Sequence, residues 1–426
     1  MNQGKKIHYG WVVIAMGALA TVAAHGFGRM SYTIILPAMK DGLKFDYTQL
    51  GLLGTGNFIG YLCMALIGGF LAARFGTRIV ITLALFFLGL TIMLTGLAQS
   101  FGFALSMRFL TGLANGAVNV PAMALASAWF AVKRRGFAAG IVAGGPGIGT
   151  LISGLIVPPL LSSYGSEGWR YAWYVLGGVA LVIAAVVSVF VRSGPHERGL
   201  LPLGVSEDPR PLAVPAVQNT SIPKWSQVYR EGSVWYLGLV YFFFGCSYII
   251  YMTFFAVYLV KEIGMTQAFA GGLWAMVGAL CIFSGIIWGL ISDRLGRSRG
   301  AALGYLVLAV AYIIYAVVRI EPGFYLSAIL FGLTMSSLPT IMAAAAGDFV
   351  GGRMAPAVLG FVTLFFGIGQ ALGPTIGGYL ADLTGSFTVP FLLAGGLSLA
   401  GMAASLFLRK PPHEARSPQI VAATDG

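Results

Sequence analysis

The sequence predicts an all-α membrane protein, with twelve transmembrane helices in two pseudo-symmetric six-helix bundles. Three observations predict it. Of 426 residues, 58% are hydrophobic and only 9% charged, against roughly 25% charged in soluble domains. The chain therefore lacks the polar side chains to cover a water-facing surface. Apolar segments of about 20 residues, the length that crosses a bilayer, recur twelve times. The loop pattern after the second segment returns after the eighth.

The apolar segments run at about 11–39, 48–71, 79–98, 103–128, 137–161 and 169–191, then 233–259, 268–292, 301–318, 324–346, 355–381 and 387–408. Lys5 and Lys6 precede the first, as in a signal peptide. That segment is too long for a signal core, has no small-residue cleavage site and is followed by eleven more. Between Arg192 and Gly232 the apolar pattern gives way to a stretch rich in Pro and charge. The expected organisation is an N-terminal bundle over 1–191, a cytoplasmic linker over 192–232, a C-terminal bundle over 233–410 and a cytoplasmic tail over 411–426. The 60 glycines suit close helix packing in lipid.

A net charge of +12 would suggest nucleic acid in a soluble protein. Here its distribution argues otherwise. Nineteen of the 26 Lys and Arg lie in the termini and the connections on the same side as the termini. Five (Lys40, Lys44, Arg170, Lys261 and Arg319) lie in the opposite loops, and two, Arg29 and Arg108, lie inside segments. The positive-inside rule then places both termini in the cytoplasm of a cell whose inner membrane holds the chain. Lys133-Arg134-Arg135 is a topology signal, and no nucleic-acid partner is expected. Cys63, Cys246 and Cys281 lie in apolar stretches without metal-ligand spacing and read as small buried hydrophobes. No nucleotide-binding P-loop, nucleophile elbow or pair of carboxylates within a segment appears. Neither ATP drive, nor a cofactor, nor enzyme chemistry is expected.

The two halves repeat. GGFLAARFGTR (Gly68 to Arg78) corresponds to WGLISDRLGRSR (Trp288 to Arg299), with Gly76 matching Gly296 and Arg74 matching Arg294 at an offset of 220 positions. GGPGIGTLISG in segment 5, carrying Pro146, matches LGPTIGGYLAD in segment 11, carrying Pro374. Glycine permits the tight turn between two helices. Asp293 and the arginines suit helix amides, helix carbonyl ends and anionic headgroups.

Arg29 is the sharpest feature. Trp11 to Arg29 spans ~27 Å of helix and Arg29 to Lys40 ~16 Å, so the guanidinium lies just outward of mid-membrane. A cation there costs ~2.5–3.5 kcal/mol on insertion scales. All 14 Asp and Glu fall in loops or segment ends, so no carboxylate within a segment answers it. A lone guanidinium is what a carboxylate site would need, because its planar fork binds a carboxylate bidentately. The alternative is that Arg29 bonds helix carbonyls or buried waters. At α-helical spacing His25 (i−4) and Tyr32 (i+3) share its face, and His25 can carry a proton near neutral pH. Asn57, Asn115, Asn119, Tyr248 and Tyr251 are further polar groups inside the segments, either helix-to-helix contacts or, where their segments line one cavity, substrate contacts.

These patterns resemble the major facilitator superfamily. The twelve segments, the central loop, the loop pattern in both halves, RFLTGLANGA (Arg108 to Ala117) and GGPGIG carry the resemblance. HYGWVV, AWFAVKRRGFAAGI and SGPHERGLLP resemble the prokaryotic monocarboxylate and oxalate/formate exchanger-like branch. FGRMSYTIILPAM is similar to a bacterial uptake or efflux group with an Arg–aromatic pair in the first segment. The resemblance implies the major facilitator fold, with segments 1, 4, 7 and 10 lining a central cavity. It implies alternating access, with the lipid bilayer as surroundings and a small organic anion such as a monocarboxylate as cargo; coupling to H+, with exchange as the alternative, would rest on His25 and the arginines. Coupling and gating would fall to Arg108, Arg74, Asp293, Arg294, Pro146 and Pro374, the prolines either bending their helices or packing them closely. The alternative cargo is a drug or other hydrophobic compound handled by an exporter; a channel or non-transporting receptor is a further class. Two positions depart from the family pattern. Ala73 stands where the first-half loop would carry Asp, and segment 8, GGLWAMVGALCIFSGIIWGL, lacks the charges of proton-coupled monocarboxylate carriers.

Overall fold

The computed structural model describes residues 8–204, 232–350 and 355–408. Among them the chain forms twelve long helices: α1 Tyr9–Leu43, α2 Tyr47–Phe75, α3 Thr77–Thr95, α4 Phe101–Trp129, α5 Val132–Ser163, α6 Gly168–Phe190, α7 Gly232–Glu262, α8 Gln267–Leu295, α9 Arg297–Val317, α10 Glu321–Asp348, α11 Ala355–Thr384 and α12 Thr388–Leu406. Eleven are each long and apolar enough to cross a membrane, and α2, bent by 45°, makes a twelfth. Their outward faces carry bare apolar side chains, with Leu83 66%, Phe137 69% and Ile286 67% exposed. Such a surface is a liability in water and the natural one in lipid.

Local chemistry sets the helix ends. Asp46 and Gln49 form a capping box at the start of α2, and Ser100 and Thr266 cap α4 and α8. The repeated loop is the same turn twice. Gly76 closes α2 with φ +86° and ψ 144°, and Gly296 closes α8 with φ +84° and ψ 157°. Only glycine adopts that backbone region readily.

Because the repeat relates α2 to α8 and α5 to α11, two of the seams that join the bundles are also related: α5 lies on α8, and α11 on α2. In both, backbone meets backbone. A Cβ added to Gly154 would lie 2.6 Å from the amide nitrogen of Ala275, and one added to Gly51 would lie 2.2 Å from the carbonyl oxygen of Pro374. The seam contacts run from the end opposite the termini inward: Tyr47 with Gly378, Thr55 with Ala371 and Thr375, Leu62 with Gly367, Gly147 with Gly278. At that end Lys261 pairs with Asp41 across the bundles, and Asp382 bonds the first amides of α2.

The start of the predicted linker docks on the N-terminal bundle. Leu203 N donates to Trp129 O at 2.9 Å, Ala131 N donates to Leu203 O at 3.1 Å, and the indole of Trp129 donates to Arg192 O. The rest of that linker from 205 to 231, and the predicted tail, lie outside the described residues.

Candidate functional site

The middle of α1 is not α-helical. The α-helix runs to Thr21, a π-helical stretch covers Val22–Met30, and α-helix resumes at Ser31. Such wider i→i+5 turns leave carbonyls to be answered by other groups. Arg108 Nη1 donates to Gly28 O at 2.8 Å, and Ser31 Oγ donates to Phe27 O at 2.5 Å. The stretch presses on α5, where a Cβ on Gly26 would lie 2.4 Å from Gly149 Cα. One turn earlier, Thr21 Oγ1 donates to Val142 O at 2.8 Å. That carbonyl lies four residues before Pro146, which has no N–H to give it. The GGPGIG run thus seats α5 against α1 by close packing, and its proline is accommodated by a threonine of the neighbouring helix.

This scaffold holds Arg29 at the seam between the bundles, only 8% exposed. Its Nη2 donates at 2.7 Å to the phenol of Tyr248 on α7. Its guanidinium lies 4.0 Å from the ring centre of Phe58 and 5.8 Å from that of Tyr61, both on α2. A desolvated cation–π contact of this kind contributes about 2 kcal/mol, which offsets much of the insertion cost without neutralising the charge. No carboxylate pairs with Arg29 among the described residues, and its Nε has no partner there. Gln370 of α11 donates through Nε2 to the same Tyr248 oxygen, while its Oε1 is unanswered. His25 sets its ring edge-on to Tyr61 at 5.8 Å, with Nδ1 unanswered. Asn119 donates to the Tyr61 hydroxyl at 3.1 Å. Arg29, His25, Asn119 and Tyr248 are thus linked by contacts running through Tyr61 and Tyr248.

Other expected site residues point elsewhere. Tyr32 does not share a space with Arg29. Its hydroxyl donates to Leu50 O at 2.8 Å, and its ring lies beneath the Arg108 guanidinium at 4.5 Å and beside Trp173. The π turn ending at Met30 changes the angular offset that α-helical spacing assumes. Tyr251 also turns away, into the C-terminal bundle, bonding Ser327 amid Tyr312, Tyr315, Phe331 and Phe391. Asn57 donates to the Arg108 carbonyl at 2.9 Å and joins α2 to α4. Asn115 is buried with both amide atoms unanswered among the described residues. Arg108, 1% exposed, grips the π stretch one residue before Arg29 and so positions it.

At the repeated loops, Asp293 pairs with Arg297 at 2.5 Å, not with Arg294, and Arg297 also holds Asp348 at 2.8 Å. The turn at Gly296 brings Arg297 back over the end of α8. Arg294 and Arg74 are exposed, the latter beside the Phe75 ring. Pro374 lies in α11 with its carbonyl against Gly51. Gln370, Phe58, Arg297 and Asp382 were absent from the expected site. Gln370 was findable, being the one amide or charged residue of α11 before Asp382.

The sequence model of the Major Facilitator Superfamily matches the chain over residues 18–320 and again over 237–424. The chain belongs to the major facilitator superfamily. Among curated relatives it is similar to a probable sulfoacetate transporter of Cupriavidus necator, 28% identical over 401 residues, covering 89% of each chain. It is also similar to a hexuronate transporter of Bacillus subtilis, 23% identical over 89% of this chain and 90% of that one. Among solved structures it matches a bacterial homologue of the human lysosomal transporter Spinster with TM-score 0.72 and 18% identity over 95% of each chain. That match concerns the fold alone.

Proposed function

We propose that this superfamily member carries a small organic anion, a monocarboxylate among the candidates, across the inner membrane by alternating access, with both termini in the cytoplasm and Arg29 as the anchor for the carboxylate. One observation carries the reading: a buried guanidinium at the seam of the two bundles, answered among the described residues by a phenol and two aromatic rings but by no carboxylate. An anion placed there touches α1 and α2 of one bundle and α7 and α11 of the other, so its binding energy can act on how the bundles rock. The named substrates of relatives, sulfoacetate, hexuronate and tartrate, are organic anions and support the class. In the same reading His25, beside Tyr61, carries a coupled H+.

The test is thermal unfolding of the purified protein with small carboxylates, alongside counterflow in proteoliposomes. Ligand at a hundred times its Kd stabilises by about 2.7 kcal/mol. That gain, and exchange of labelled for unlabelled anion, should both vanish in Arg29→Ala. An imposed pH gradient should drive accumulation in the parent and not in His25→Gln. Carboxylate exchange that persists in Arg29→Ala would overturn the anchor. A second reading draws on the near-parallel stack of Tyr241, Phe244, Tyr248 and Phe366, a wall suited to flat apolar compounds handled by an exporter. Stabilisation of Arg29→Ala by neutral aromatics, with none by carboxylates in the parent, would favour it.

A further inference from the structure

We propose that Gln370 and Tyr248 determine specificity at the Arg29 site, selecting organic acids that carry a hydroxyl close to the carboxylate over acids that carry only hydrocarbon there. This rests on the reading of Arg29 as the carboxylate anchor. Buried polar groups in proteins almost always have hydrogen-bond partners, and an orphan implies a ligand, water or ion that fills the gap. Around Arg29 the orphans are specific. Gln370 is 1% exposed, and its Oε1 has no partner among the described residues. Its Nε2 and Arg29 Nη2 both donate to the Tyr248 oxygen. A phenol oxygen that accepts twice leaves its own proton free to donate, and no described group takes it.

The unanswered groups therefore include at least two donors, Arg29 Nε and the Tyr248 hydroxyl, and one acceptor, Gln370 Oε1. Two donors suit a carboxylate. The adjoining acceptor needs a hydrogen-bond donor, and on a small organic acid that is a hydroxyl. The opposite assignment of the Gln370 amide leads to the same ligand. The phenol would then donate to Oε1 and the free group would be Nε2, which a hydroxyl oxygen can accept from. A hydroxyl serves both assignments because it donates and accepts, whereas a methyl serves neither. A bound acid lacking it would leave the buried amide unpaired, which is how sites reject the apolar analogue. The stacked rings of Tyr241, Phe244 and Phe366 behind Tyr248 fix the phenol and leave Gln370 as the polar member of that wall.

The experiment compares lactate with propanoate, two acids of equal carbon count that differ by the hydroxyl. Their dissociation constants are read from thermal-shift titrations of the full-length protein. Lactate should bind at least about tenfold more tightly in the parent, and the ratio should fall towards one in Gln370→Met. Tyr248→Phe keeps the ring stack but removes the oxygen that holds Gln370, and it should lower the ratio as well. A role confined to folding would move both constants together and leave the ratio alone. A parent ratio near one, or a ratio untouched in whichever variant folds, overturns the assignment while the anchor stands. Failure of both acids, and of every other carboxylate, to stabilise the parent instead removes the anchor itself.

Discussion

Replacing Asp382 by alanine should loosen the end of the molecule opposite the termini and leave the bundles themselves intact. The carboxylate of Asp382, in the last turns of α11, reaches across to the first turn of α2. It accepts from Tyr47 N at 3.0 Å, Thr48 N at 2.7 Å and Thr48 Oγ1 at 2.6 Å. The third amide, Gln49 N, belongs to Asp46 of the same bundle. Two of the free donors at that helix start thus depend on the other bundle. Loss of a capping side chain costs about 1 kcal/mol, and loss of a negative charge at a helix start costs a further 0.3–1 kcal/mol or so. Asp382 is exposed and water can replace part of this, so about 1.4 kcal/mol is a fair sum, equivalent to about tenfold. The bonds exist only while the bundles touch, so nearly all of it acts on opening. The exposed Lys261–Asp41 pair contributes less, under about 1 kcal/mol. The assay is labelling of a cysteine at Thr55, which bonds Ala371 and Thr375 in the same seam. The protein would lack Cys63, Cys246 and Cys281, and the impermeant thiol reagent would be applied from the side opposite the termini. Asp382→Ala should label about tenfold faster and Asp41→Ala at most a few-fold faster. An unchanged rate for Asp382→Ala, with a lower unfolding temperature, would show the aspartate to be an ordinary helix cap and would refute the reasoning.

Two further predictions concern the scaffold. Thr21→Val keeps the shape but leaves Val142 O, beside Pro146, without its donor; a buried carbonyl left so costs about 1–3 kcal/mol, and the unfolding temperature should drop while Thr21→Ser restores most of it. Gly296→Ala meets no atom within 4 Å, so its expected cost of about 1–3 kcal/mol is purely one of backbone conformation at φ +84°; a stability equal to the parent would show that the turn adapts.

The fold was readable because a bilayer restricts the choices. Uninterrupted apolar runs must be helices there, and the repeated glycine loops occupy matching backbone conformations at Gly76 and Gly296. Arg29 stood out because a cation in an apolar run needs a partner, and none was in sight. What could not be read was the angular placement of side chains past the π turn. Tyr32 follows Arg29 by three residues and would share its face on an unbroken α-helix, yet it belongs to Arg108 and Trp173. Nothing in VAAHGFGRM announces a change of helical pitch, in a stretch where Gly26 meets Gly149 from a helix more than a hundred residues away. Tyr251 was misplaced for a related reason: both sides of α7 are aromatic, so composition does not tell seam from core. The ion pairs at the loops depended on where α8 stops. Arg297 opens the next helix after the break at Gly296 and stands four residues from Asp293, where it also reaches Asp348 from α10, a contact that needs the tertiary fold.

The glycine-lined seams bear on motion. Where Gly154 meets Gly271 and Ala275, and Gly147 meets Gly278, the facing surfaces are largely peptide backbone, with Pro158 and Ile282 the bulkier side chains beside them. Rolling one such surface over the other disturbs few rotamers, Leu62 seated against Gly367 being a knob that must shift. The same bareness leaves little dispersion energy tied to one angle. The paired seams are thus smooth bearings with polar fasteners at one rim, and the speed at which the molecule turns over is governed by the rim and the cargo more than by the surfaces that slide.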